Sequence, residues 1–301
     1  MDRKIDVYQK VTDLMIAELE KGCIPWIRPW RDGEPPIPVN ALSGRPYHGI
    51  NVPLLWNSAD RRGFSCDRWL TFRQVETLGG TVHQGEQASF AVLYLPRTRE
   101  MRDCEGNPVF ADDGEPEVHH FGLVRAFRLF NLSQCEGLPA SLFEPYPRPD
   151  HPVDVAESLL RSSGVSMTHR QQSEAFYRPA TDAIMMPHPQ QFDSGEAYYA
   201  TLLHELTHAT GHASRLNRKA ITDPARSKEA YAAEELVAEM GAAFLCALTG
   251  IEGRLQHASY IDFWLQILRN DKRALMRASG LARSACDWLL NASEQDSQLT
   301  A

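Results

Sequence analysis

The chain has 301 residues, 43% of them hydrophobic and 23% charged, enough for two domains that each bury a core. With 31 basic against 39 acidic residues its formal charge is −8, which excludes indiscriminate duplex binding by the whole surface and confines any nucleic-acid site to a local patch. Six scattered cysteines without a C-x-x-C pair exclude a zinc ribbon or disulfide framework, and with no membrane-length apolar run or signal-peptide core the expectation is a cytoplasmic protein with no membrane partner.

In chain order, Val7, Val11, Leu14, Met15 and Leu19 recur at helical spacing over 6–21, and Gly22 supplies a stop. The Pro- and Trp-rich stretch 24–38 and the segment 40–57 read as structured but irregular chain. Thr71-x-x-Gln74 is a capping box opening a short helix that ends at Gly79-Gly80. Segments 89–95 and 124–132 read as strands, and the acidic stretch 100–117 between them as a solvated hairpin or flap without chemistry of its own. Five prolines in 137–152 make a stiff connector, so the expected division is 1–136, a linker 137–152, and 153–301.

The second part opens with a helix at 153–162 and a short strand at 183–186 ended by Pro187. A further helix starts at an Asp193-x-x-Glu196 capping box and runs to Gly211. Helices follow at 227–248, 259–268 and 272–290. The expected fold class is α+β: a small mixed α/β domain, then a mostly helical domain with a short sheet.

His204-Glu205-Leu206-Thr207-His208 carries two histidines four residues apart on a predicted helix, so both imidazoles project from one face and can share a cation. Glu205 stands beside them, where a carboxylate can take a proton from an attacking water and deliver it to a leaving amine. The third ligand is expected from Glu234-Glu235-Leu236-Val237-Ala238-Glu239, where Glu235 and Glu239 share a face. Glu235 is assigned to the metal and Glu239 to the outer nitrogen of a ligand imidazole. Glu234, rotated away, is assigned to the surface. His212 is an alternative ligand that Gly211 should turn aside. Tyr260 or His257 is the candidate to steady a developing oxyanion. Strand 183–186 could take up an extended peptide along the cleft. Two imidazoles and a carboxylate suit Zn2+, with Mn2+ an alternative.

Between Gly22 and Arg73, aromatic and arginine residues interleave, as they do where unstacked bases and phosphates are gripped; a small domain's aromatic core uses the same composition. The candidate DNA-binding residues are Trp26, Arg28, Trp30, Arg31, Arg45, Tyr47, Asn51, Trp69 and Arg73.

Several runs together resemble the ArdC-type antirestriction proteins: Asp6-Val7-Tyr8-Gln9-Lys10-Val11-Thr12, Pro25-Trp26, Pro29-Trp30, Pro38-Val39-Asn40-Ala41, Tyr47-His48-Gly49-Ile50-Asn51, Trp69-Leu70-Thr71-Phe72-Arg73-Gln74 and Phe130-Asn131-Leu132-Ser133-Gln134-Cys135. In the second half the resemblance lies in His204 to His208, Gly211-His212-x-x-Arg215-Leu216 and Glu234 to Glu239. The resemblance implies an N-terminal domain that binds single-stranded DNA and a C-terminal zincin-like metalloprotease domain akin to DNA-repair proteases of the Spartan type. It also implies carriage on conjugative plasmids and protection of incoming DNA from restriction. The expected function is therefore single-strand binding joined to metal-dependent proteolysis of an unidentified protein substrate. The alternative is a DNA-binding shield whose metal site is structural or vestigial.

Overall fold

The computed structural model describes residues 6–27, 33–110, 114–252 and 261–299. Helix α1 (Val7–Leu19) is capped by Asp6, whose carboxylate accepts from the amides of Tyr8 and Gln9. After β1 (Val39–Asn40) comes α2 (Asn51–Arg61), where irregular chain was expected. Pro53 lies in its first turn, where no intrahelical amide is needed, and Val52, Leu54, Leu55, Trp56 and Ala59 are buried. Strand β2 (Arg68–Leu70) leads into α3 (Phe72–Thr77), which has the expected Thr71–Gln74 capping box.

Strands β3 (Thr81–Val82), β4 (Ser89–Glu100), β5 (Val118–Asn131) and β6 (Cys135–Glu136) follow. The main sheet has the order β1-β2-β5-β4, with β1 and β2 parallel and the other pairs antiparallel. β4 and β5 form a long ribbon in register from Ser89↔Leu129 to Glu100↔Val118. On β5 the two faces differ: Leu129 packs with Ala91, Leu55, Ala59 and Trp69, whereas Arg128 is exposed.

The C-terminal part has α4 (Pro152–Ser163), β7 (Ser166–Arg170), β8 (Phe176–Arg178) and β9 (Ala183–Pro187). It continues with α5 (Gly195–Ala209), α6 (Lys219–Thr222), α7 (Lys228–Thr249), α8 (Ile261–Asn270) and α9 (Ala274–Leu299). The α+β expectation holds: a mixed α/β first part and a second part that is helical apart from a three-stranded sheet. That sheet has the order β7-β9-β8. Strand β9 is therefore paired on both sides and has no edge to offer a peptide, contrary to expectation; β8 is the edge strand beside it. Ser194, and not Asp193, caps α5 by accepting from Ala197.

The two parts pack through one continuous apolar cluster. Trp26 meets Trp264 edge-on at 5.1 Å, and Trp56 meets Phe244 at 6.1 Å. The Pro-rich segment is tied down: buried Arg68 donates to the carbonyls of Leu142 at 2.6 Å and Glu144 at 2.5 Å. No helix among the described residues is long and apolar enough to cross a membrane.

Candidate metal centre and its cleft

Helices α5 and α7 build the centre. They approach closely where Gly241 faces Thr207: a Cβ on Gly241 would stand 2.5 Å from the Thr207 Cγ2, so only glycine fits without displacing one helix. This contact brings the carboxylates of α7 against the imidazoles of α5. The Nε2 atoms of His204 and His208 each lie 3.5 Å from a different oxygen of Glu235. The two rings are 4.8 Å apart at 81°, and one ligand atom from each of the three residues falls within 4.8 Å of the others. Among the described residues this is the one such group, and it can hold a divalent cation. Both histidines sit in the last two turns of α5, where the helix dipole also favours positive charge.

Each imidazole has a carboxylate at its outer nitrogen. Glu239 lies 3.8 Å from Nδ1 of His204, and Glu234 lies 3.3 Å from Nδ1 of His208. Glu234 is thus not on the surface as expected but buried, because the side of α7 it occupies is covered as well. Arg218 explains how it is kept there. Its guanidinium reaches Glu234 at 2.6 Å, Thr210 Oγ1 at 2.7 Å and the Thr207 carbonyl at 2.7 Å, serving as a C-terminal cap of α5. Gly211 leaves room for it, since a Cβ there would stand 3.0 Å from the Arg218 Cζ and 2.7 Å from Ile221. Arg215 caps the same helix end through the Ala209 carbonyl and forks onto Asp182 with two 2.8 Å bonds.

Electrostatically the centre is polarised toward a cation. Burial works against the charged forms of Glu234 and Glu235, but the facing imidazoles, and for Glu234 the Arg218 guanidinium, hold both well below the usual carboxylate range. For His208 burial pulls the pKa down, yet the carboxylates of Glu234 and Glu235 outweigh it and lift it to about 10. A metal ion would take the place of that positive charge.

A cleft of about 460 Å3 opens on the centre, lined by Phe176, Tyr177, Phe192, Tyr231 and the site residues His204, Glu205, His208, Glu234 and Glu235. Glu205 is buried at its floor. Sequence reasoning missed Arg218, the buried role of Glu234, and the aromatic walls. One signal was available: from Leu236 to Ala247 the chain carries a single acid and is otherwise apolar or small, so α7 has little of a solvent face there. His212 faces away, accepting from the Ser214 amide at 3.3 Å and standing 3.9 Å from Asp182. Tyr260 and His257 lie outside the described residues.

The candidate DNA-binding residues divide. Trp26 and Trp69 are both 0% exposed, each locked edge-on to another ring, so neither can stack a base; the aromatic composition there belongs to the core. Asn51 is engaged too: its amide donates to the Val92 carbonyl at 2.8 Å and accepts from the Val92 amide at 2.7 Å, standing in for a strand neighbour at the open edge of β4. Tyr47 is half-buried, its hydroxyl within 3.4 Å of the Asn40 amide, and burial raises its pKa. Arg45 and Arg73 are exposed. Arg28, Trp30 and Arg31 lie outside the described residues.

Residues 5–130 match the N-terminal domain of the anti-restriction factor ArdC, and residues 154–281 match a zincin-like metallopeptidase family. The metal-free crystal structure of the antirestriction protein ArdC from plasmid R388 superposes with a TM-score of 0.78 at 34% identity, covering 97% of this chain and 99% of that one. The chain belongs to the ArdC antirestriction family. The Mn(II)-bound crystal structure of the R388 protein gives a TM-score of 0.75 at 32% identity over 96% of this chain and 98% of that one. Protein y4eC of Sinorhizobium fredii is 34% identical over 97% of the chain and 94% of its own length. A DNA primase TraC of Escherichia coli is 37% identical over 96% of the chain, which spans only 20% of that longer relative. ArdC membership accounts for the order of the two parts, an ArdC N-terminal domain ahead of a zincin-like domain.

Proposed function

We propose that this chain is an antirestriction protein that binds single-stranded DNA through residues 1–136 and shields it, with a divalent-metal centre in residues 153–301. The observation that carries this reading is likeness to the R388 antirestriction protein along nearly the whole chain. His204, His208 and Glu235 would hold the ion; Zn2+ suits two imidazoles and a carboxylate, and the R388 relative takes Mn(II). The chain would act in the cytoplasm during conjugation of plasmid DNA.

Glu205 at the cleft floor favours a second reading, in which the centre also hydrolyses peptides. A bound ion would supply a Lewis acid for water and the scissile carbonyl. Glu205 would take the proton from the attacking water and hand it to the leaving amine. The outer edge of β8 at Phe176–Arg178, beside the cleft, would align an extended peptide. Tyr260 would be the oxyanion-steadying residue.

Glu205→Gln separates the two readings. The shield predicts that protection of transferred DNA survives the substitution. The peptidase predicts that metal content is kept while protection and cleavage fall together by at least about 100-fold. Loss of single-strand binding by the unaltered chain would remove the shield.

A further inference from the structure

With Trp26 and Trp69 inside the core, a single strand needs other rings. One face of the β4–β5 ribbon, covered in part by α1, supplies them. Tyr94, Val124, Ala126, Arg128 and Phe130 share that face, because Tyr94 pairs with Val124 and alternate residues of a strand point the same way. Tyr94 is 58% exposed although its ring is held in place: it lies over Gly122, where any Cβ would collide with it. At the other end Phe130 meets Phe72 edge-on at 6.1 Å, and Phe72 is 52% exposed.

Between these rings the β4 side is covered, with Val92 buried and Phe90 packed against the core, and the open track runs over Ala126 and Arg128 of β5. Arg128 is exposed and makes no ion pair among the described residues, and the same is true of Arg73 beside Phe72. Lys10 of α1 sits 4.6 Å over the Phe90 ring, and Phe90 is the cross-strand partner of Arg128. Of the four arginines on β4 and β5, Arg128 alone lies on this face; Arg97, Arg99 and Arg125 fall on the other. From Phe130 to Val124 is about 20 Å along the strand, the reach of a few nucleotides.

We infer, on the single-strand reading above, that single-stranded DNA lies along this face of β5. Bases stack on Tyr94 at one end and on the Phe72–Phe130 pair at the other. Arg128, Lys10 and Arg73 hold the phosphates. The match is chemical: rings at the two ends for bases, with Arg128 on the strand and Lys10 and Arg73 flanking it for the backbone.

The test is fluorescence anisotropy of labelled oligothymidylate with the full chain across a salt series. It compares the unaltered protein with Tyr94→Ala, Tyr94→Phe, Phe72→Ala with Phe130→Ala, Arg128→Ala, and Leu281→Ala as an exposed apolar control on α9. Circular dichroism and metal content report folding of each variant. The expected result is a loss of about fivefold or more for Tyr94→Ala and for the Phe72 and Phe130 pair, rescue by Tyr94→Phe, and no change for Leu281→Ala. Arg128→Ala should lower the slope of log affinity against log salt by about 0.7. If the unaltered protein binds and the face variants bind equally well, the assigned surface is wrong and the single-strand reading stands. If the unaltered protein does not bind, both are overturned.

Discussion

Replacing Glu234 by glutamine tests how the centre is held. In the native arrangement the carboxylate receives the Arg218 guanidinium at 2.6 Å and faces Nδ1 of His208 at 3.3 Å, with Arg218 and Glu234 both nearly sealed from solvent. Glutamine keeps the shape but leaves a buried guanidinium without its countercharge, a loss of about 3–5 kcal/mol. That is a large share of a domain's total stability and should lower Tm by roughly 10 °C. Because the same carboxylate faces the imidazole of a candidate metal ligand, metal affinity should fall by about 10- to 100-fold. Thermal unfolding followed by circular dichroism gives the first quantity and isothermal titration with Mn2+ or Zn2+ the second. A double variant, Glu234→Leu with Arg218→Met, removes the unpaired charge and should recover much of the stability while metal affinity stays low. Native metal affinity in folded Glu234→Gln would refute the positioning role.

Gly241→Ala should weaken metal binding without touching a ligand, because the new methyl meets Thr207 at 2.5 Å and pushes Glu235 away from the histidines; adding Thr207→Ser should recover part of the affinity, as seen by titration. In the metal-free protein His208 is raised from its ordinary 6.5 to about 10, so its contribution to stability is complete below pH 6.5 and is lost as pH rises through about 10. Metal binding at pH 7 should accordingly release about one proton, and affinity should rise with pH; titrations in buffers of different ionisation enthalpy measure this, and zero release contradicts it. Trp26→Ala should destabilise the chain by about 3–5 kcal/mol through the cavity left beside Trp264, whereas Trp26→Phe should retain full single-strand affinity; loss of that affinity in folded Trp26→Phe would restore a direct contact.

Much of the metal centre could be read from spacing. Two histidines four residues apart on a helix share a face in any fold, and Glu235 with Glu239 does the same on the next long helix. Glu234 was misread because a residue rotated from the ligand face is solvent-exposed only if that side of the helix is uncovered. On α7 it is covered by Arg218, which arrives from the turn after α5. Helix α2 was lost for a local reason: Pro53 and the turn residues before it mask a helix whose burial is supplied by β4 and the C-terminal helices.

The aromatic segment 22–73 marks the boundary between the two kinds of information. Its composition suits both a base-stacking surface and a core, and burial alone separates them. Trp26, Trp56 and Trp69 went inward, while Phe72 remained outside. Sequence by itself determined the ordered motifs, the Thr71–Gln74 cap, the strand pair and the shared face of His204 and His208, because each depends on spacing within one element. Tertiary structure alone decided which carboxylate faces which nitrogen, which strand has a free edge and which rings meet solvent. Those outcomes depend on how distant elements cover one another, and no local period encodes that.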